Sequence, residues 1–269
     1  MSEPAVVIII PARYESSRYP AKPLASLRGC TGQAKPLIQR SWEAAMRVPG
    51  IAAVWVATDH PEIAEAAHNF GARVAMTSSS CRNGTERCAE ALDRIDSEAD
   101  LIVNLQGDAL LTPPHFVTSL VEVLSATKEL AVATPALRCD VGHHAALQAD
   151  EAAGRVGGTT VVTDRHGRGL YFSKRIIPHF PPDAVVDGIT PVRLHVGVYA
   201  YTPAALRAYL AALPSPLEQL EGLEQLRFLD LGLAVDVVDV APPEWEIREL
   251  NNPSDVEPIE RALALMGLE

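Results

Sequence analysis

Five consecutive β-branched residues, Val6-Val7-Ile8-Ile9-Ile10, run straight into Pro11. A run without polar alternation reads as a strand buried on both faces, which is the signature of the middle of a parallel sheet covered by helices. The expected strand covers 5–11 and ends at the proline. Directly after it come three cations within ten residues, Arg13, Arg18 and Lys22, on a chain whose formal net charge is −11. Open α/β sheets bind ligands at the carboxyl ends of such strands. Cations gathered there against an acidic background suggest a polyanion such as a triphosphate. The alternative is an ordinary solvated loop, since Arg and Lys are usually exposed.

The alternation continues. Further strands are expected over 53–58, 73–76, 101–105 and 130–137, with helical patterns over 34–48, 61–70, 84–95 and 113–127. Three helix starts carry a proline or a small polar cap: Asp59/Pro61, Asn83/Thr85 and Thr112/Pro113. Such βαβα order implies right-handed crossovers and a doubly wound, mostly parallel α/β sheet. The second half is less regular. Segments 161–163 and 169–172 flank the turn Asp164-Arg165-His166-Gly167 and read as a hairpin. A long strand is expected over 192–201, a helix over 217–231, a strand over 235–240 and a closing helix over 255–266. The expected organisation is one domain over 1–269, with an inserted β region at about 155–200 that could serve as a lid or a dimerisation arm.

Composition removes several function classes. At 48% hydrophobic and 21% charged residues, the chain reads as an ordinary globular protein. Its acidic balance gives no basic face for nucleic acid. No apolar run approaches the roughly 20 residues that span a bilayer, and the start, Met1-Ser2-Glu3-Pro4, has no basic leader region. Cys30, Cys81, Cys88 and Cys139 are scattered, which fits reduced thiols and a cytoplasmic location. His143-His144 reads as surface, because adjacent side chains diverge. Familiar phosphate loops are missing: no Gly-x-Gly-x-x-Gly follows the first strand and no Gly-x-x-x-x-Gly-Lys-Ser/Thr occurs. Glycine is absent from Pro11 to Lys22, so phosphates bound there need side-chain cations as well as backbone amides.

The motif Pro11-Ala12-Arg13-Tyr14-x-Ser16-Ser17-Arg18-x-Pro20-x-Lys22-Pro23-Leu24 resembles the signature of the 3-deoxy-manno-octulosonate (Kdo) cytidylyltransferases. The resemblance runs on through Val56-Ala57-Thr58-Asp59-His60, Gly84-Thr85-Glu86-Arg87 and Val103-Asn104-Leu105-Gln106-Gly107-Asp108. It continues through Leu170-Tyr171-Phe172-Ser173, His195-Val196-Gly197-Val198-Tyr199 and the stretch from Pro214 to Arg227 that contains Leu223-Glu224-Gln225-Leu226-Arg227. It implies an open α/β sheet with an inserted β region used for homodimerisation. It also implies a reaction that joins CTP and the acidic sugar Kdo into CMP-Kdo and pyrophosphate with Mg2+, serving lipopolysaccharide, capsule or another glycan. By motif position, Arg13, Arg18 and Lys22 would hold the triphosphate, and Pro11, Ala12, Ser17, Gly84, Thr85 and Arg87 would frame the nucleotide. Asp108 and Asn251 would hold magnesium, while Gln106, His195, Tyr199, Glu224 and Gln225 would line the sugar pocket. Without the resemblance, His195 and Tyr199 read equally as a core pair, and Glu218, Glu221 and Gln225 as a solvated helix face.

Three departures from the family pattern stand out. Ala109-Leu110 replaces a Glu-Pro beside the metal position, and Asn251 stands where the family has an Asp. The family's Asn-Val-Val-Lys is replaced around 155–160, and its Ser-Arg pair becomes Ser173-Lys174. These leave two rivals in view: a cytidylyltransferase for another ulosonic acid, and a catalytically silent nucleotide-sugar binding protein. CMP-sialate synthesis and glucose-1-phosphate-type transfer are disfavoured, since their first-loop patterns are absent.

Overall fold

A computed structural model describes residues 4–15, 19–126 and 131–269. In chain order the first half runs β1 (Val6–Ala12), β2 (Ser26–Arg28), β3 (Ala34–Pro36), α1 (Leu37–Met46), β4 (Ile51–Thr58), α2 (Pro61–Asn69), β5 (Arg73–Met76), α3 (Gly84–Arg94), β6 (Leu101–Leu105) and α4 (Pro114–Ala126). The second half runs β7 (Val132–Asp140), α5 (Val141–Ala152), β8 (Thr160–Thr163), β9 (Gly169–Ser173), β10 (Ile189–His195), β11 (Val198–Tyr201), α6 (Pro203–Ala211), α7 (Pro216–Glu221), α8 (Leu226–Asp230), β12 (Val235–Asp239) and α9 (Val256–Leu265).

The main sheet has the order β5-β4-β1-β6-β11-β7-β10-β8-β9, with β12 also paired to β7. Pairs β5-β4, β4-β1, β1-β6 and β7-β12 are parallel, whereas β11 runs antiparallel between β6 and β7. The β1 run divides between both faces. Ile8 and Ile10 meet apolar side chains of α1, α2 and α4, while Val7 and Ile9 meet those of α3 and α6. A third cluster joins Leu27, Leu110, Leu111 and Leu250 to α9. The doubly wound, mostly parallel α/β fold is the one read from the sequence.

Local departures have local causes. Pro11 lies inside β1 rather than ending it. Pairing with β6 stops at Ile9, so there is an edge on which a residue without an N–H is tolerated. The helix expected over 34–48 starts only after Pro36, because a residue preceding proline is pushed out of the helical region, and 34–36 pair with β2 instead. The strand expected over 192–201 is broken at Val196-Gly197 into β10 and β11. The helix expected over 217–231 divides at Gly222, whose φ of 62° ends α7 in the left-handed region. Helices α5 and α6 lie outside the expected elements, yet each carries a readable start. Asp140 accepts the His143 N–H at 2.7 Å, and Thr202 caps α6 ahead of Pro203.

The hairpin β8-β9 extends the main sheet instead of standing apart from it. Its turn folds back on β12 through an Arg168–Asp236 bridge and the Val237 N–H to Gly167 carbonyl bond of 2.9 Å. Among the described residues no helix is long and apolar enough to cross a membrane.

Candidate active site

The carboxyl end of β1, the turn after β6, the start of α3 and the β10-β11 corner enclose one cleft of about 2040 Å³. A single drug-sized ligand fills roughly 300–1,000 Å³, so there is room for two substrates. The floor depends on a close backbone approach. A Cβ on Gly107 would lie 2.7 Å from the Pro11 carbonyl oxygen, so only glycine lets the β6 turn lie against the end of β1. Ser41 donates to the Gly107 carbonyl at 2.8 Å and fixes the turn from beneath. Asp108 follows at once, and its carboxylate is ion-paired with Lys22. Pro11, Ala12, Arg13 and Lys22 line this end of the cleft. Arg18 and Ser17 lie outside the described residues.

The first loop is held from behind. The Tyr14 N–H donates to Asp59 at 3.3 Å, and the Tyr14 ring stacks on His60 with centroids 3.6 Å apart. The cap expected of Asp59 on α2 is supplied by His60, which accepts the Glu62 N–H. Asp59 instead takes the Arg87 guanidinium at 3.0 Å, and Arg87 also donates to Thr77 at 2.6 Å. Arg87, expected at the nucleotide, borders the cleft but is buried with its charge engaged by Asp59. Its structural effect is to fix the loop. Thr112, expected to cap α4, keeps a buried hydroxyl with no partner among the described residues.

Asn83 caps α3 by accepting the Glu86 N–H at 2.8 Å. Gly84 follows against Gln106, where a Cβ would come within 2.8 Å of Nε2. Thr85, also expected at the nucleotide, turns its hydroxyl into the core onto Tyr201 at 2.8 Å and is not a cleft wall. Its N–H instead reaches the Glu224 carboxylate at 3.0 Å, and Gln106 donates to the other Glu224 oxygen at 3.3 Å. Burial pushes the Glu224 carboxyl above the usual carboxylate range, with the Thr85 N–H acting against that rise. Tyr199 donates to Gln225 at 3.1 Å, and the Gln225 Nε2 is buried without a partner among the described residues. The His195 ring lies 5.5 Å from Tyr199 and edge-on to Phe172 at 5.2 Å. Burial lowers its pKa to about 3, so the imidazole is neutral at physiological pH. The five expected sugar-pocket residues thus all line the cleft.

Comparison with known proteins decides the family. The cytidylyltransferase family model matches residues 7–235. The chain belongs to the cytidylyltransferase family. It is a nucleotidyltransferase whose relatives include the 3-deoxy-manno-octulosonate cytidylyltransferase of Maricaulis maris, 39% identical and covering 98% of each chain. The mitochondrial enzyme of that name from Arabidopsis thaliana is 38% identical, over 95% of this chain and 82% of its own. The solved structure of CMP:2-keto-3-deoxy-manno-octonic acid synthetase complexed with CTP superposes with a TM-score of 0.81 at 34% identity, covering 97% of this chain and 99% of that one. The 4-diphosphocytidyl-2C-methyl-D-erythritol synthase of Anaerococcus prevotii, at TM-score 0.57 and 14% identity, shares the fold.

In this cytidylyltransferase the two expected magnesium residues, Asp108 and Asn251, come from distant parts of the chain and line the same cleft. Glu249 lines it too, accepting from the Asn251 amide at 3.5 Å. No described group of three acidic, His or Cys residues makes a metal cage by itself. The donors are hard oxygens on only part of a shell. That suits magnesium, which keeps waters and takes substrate phosphates besides one or two carboxylates.

Behind the enzyme's cleft lies a buried ionic network that no sequence pattern announces. Arg227 is 1% exposed and donates to Glu218 at 2.6 Å and Glu86 at 3.0 Å, with its guanidinium 3.9 Å from the Tyr209 ring centre. Glu218 also completes a capping box with Ser215 and accepts from Asn83 at 3.3 Å. Arg227 therefore ties the start of α3 to the α7-α8 corner that carries Glu224 and Gln225. Of the acidic row that could have been a solvated face, Glu218 is buried. Glu221 binds the Ser173 hydroxyl at 2.8 Å and the Lys174 N–H at 3.0 Å.

Proposed function

We propose that this enzyme transfers CMP from CTP to the anomeric hydroxyl of Kdo, releasing pyrophosphate, with magnesium as cofactor. The observation that carries the reading is a single cleft lined both by Arg13, Lys22 and Asp108 and by Gln106, His195, Tyr199, Glu224 and Gln225. Relatives 35–39% identical over nearly the full chain are named for Kdo, which supplies the sugar, and the CTP held by the solved neighbour supplies the nucleotide.

Arg13 and Lys22 bind the triphosphate, joined by Arg18 on the strength of its motif position. Pro11, Ala12 and Gly84 shape the nucleotide end. Gln106, His195, Tyr199, Glu224 and Gln225 orient the sugar so that its hydroxyl faces the α-phosphorus. Catalysis of this kind rests on positioning and charge stabilisation rather than on covalent chemistry by the protein. Asp108 and Asn251 would hold magnesium, which when bound supplies Lewis-acid charge at the phosphates and acidifies the attacking hydroxyl. The hairpin β8-β9 ends the sheet, with Leu170 exposed on its outer strand, and is the proposed homodimer contact.

The test is pyrophosphate release from CTP with Kdo and magnesium, run beside ATP, GTP and a panel of other 2-ulosonic acids. Turnover with CTP and Kdo above all other combinations is expected. Equal rates with every nucleotide, or none with Kdo, would overturn the reading. The neutral amide at position 251 leads to a second expectation. Asn251→Asp adds a full charge to the cation's surroundings and should lower the magnesium concentration for half-maximal rate. An unchanged magnesium titration would remove Asn251 from the site.

A further inference from the structure

On β7, Thr134 is fully buried beneath His195, and its hydroxyl has more neighbours than protons. Its Oγ1 lies 2.8 Å from the Val198 carbonyl oxygen, 3.3 Å from that of Val196 and 2.8 Å from His195 Nε2. A hydroxyl has one proton to give. The strand register decides where it goes. β11 pairs with β7 through Ala200↔Ala133 and Tyr201↔Val132, which sets Val198 opposite Pro135. The Val196 N–H donates to the Pro135 carbonyl at 3.1 Å, so the polar side of Pro135 faces this break in the sheet. Proline has no N–H to return, so the Val198 carbonyl opposite it lacks its ladder donor, whereas the Val196 carbonyl already accepts the Val198 N–H at 2.7 Å. The Thr134 hydroxyl fills that gap. With its proton on a backbone carbonyl, Thr134 can only accept from the imidazole, and His195 Nε2 must carry the ring hydrogen. Nδ1 is then a bare acceptor. It takes no hydrogen bond from any described residue, on a ring that lines the cleft.

We infer that Thr134 is a positioning residue that locks His195 as the Nε2–H tautomer, so that the cleft presents an obligate hydrogen-bond acceptor to a hydroxyl of the sugar substrate. The lock works because the ring stays neutral, as its burial requires. The substrate half of the inference rests on the proposed sugar transfer, while the tautomer half does not.

The experiment is nitrogen NMR of the full-length protein labelled at histidine, with kinetics of Thr134→Val and Thr134→Ser. The expected wild-type spectrum shows a protonated Nε2 and an unprotonated Nδ1 for His195, assigned by comparison with His195→Gln. Thr134→Val should give a mixture of tautomers and raise KM for the sugar by the reciprocal of the remaining Nε2–H fraction, about twofold for an even mixture, with KM for CTP unchanged. Thr134→Ser should restore both. A wild-type Nδ1–H tautomer, or an imidazolium, overturns the proposal even if the valine variant does not fold. Mixed tautomers with an unchanged sugar KM overturn its substrate half. Wild-type enzyme that does not turn over Kdo defeats the proposed function and leaves the spectrum as an independent result.

Discussion

Asp108→Asn should lower kcat for CTP turnover by roughly 10²–10³-fold, the range for losing one preorganised electrostatic group, while the fold stays intact. Asp108 sits on a turn fixed by the Gly107–Pro11 approach and by Ser41, and its carboxylate is engaged by Lys22. The amide keeps the shape and removes the charge. Lys22 loses its counter-ion, and the proposed cation site loses a full negative charge at that end. Lys22→Ala should cost at least about 10²-fold for the complementary reason. Because the two side chains act as one unit, the double variant should be little worse than the poorer single one. Steady-state kinetics with thermal melts test this. Full activity of Asp108→Asn would separate the residue from the chemistry, and strictly multiplicative losses in the double variant would show that the two side chains act independently.

Arg227→Met should lose about 3–5 kcal/mol of stability, the usual penalty for stripping one partner from a buried ion pair. It leaves the Glu218 carboxylate without its cation and leaves Glu86 to Arg82 alone. A fall of roughly 10 °C in melting temperature is the corresponding observable. Adding Glu218→Gln should recover most of the loss, since the carboxylate left without a cation is then neutral while Glu86 keeps Arg82. If Arg227→Met melts like the parent, the network carries no stability.

The fold could be read because its central elements announce themselves. The Val6–Ile10 run admits little besides a strand covered on both faces, and Asn83 before Gly84 starts α3 as its residue type suggests. What stayed hidden were interruptions and long-range pairings. Gly222 and the Val196-Gly197 break each divide an expected element, because a single glycine inside an apolar pattern leaves periodicity nearly unchanged. Motif position singles out residues that line one cleft, but not the use each makes of its groups. Arg87 and Thr85 stand in the expected motif, yet one is bound to Asp59 and the other to Tyr201, 28 and 116 positions away. Nothing local marks Arg227 as buried, because its partners Glu86 and Glu218 become neighbours only once α3 and α7 meet.

The reversal of direction at β11 has an evolutionary corollary. The end of the cleft with the cations hangs from β1 and β6, whose geometry is set by backbone contact at Gly107 and Pro11 and tolerates little change. A second wall, with His195, Tyr199, Glu224 and Gln225, hangs from the β10-β11 corner and the α7-α8 corner, where side chains form the surface. Selection can therefore retune what the second wall accepts while inheriting the first unaltered, so that new acceptor specificities arise by drift on one bank of the cleft.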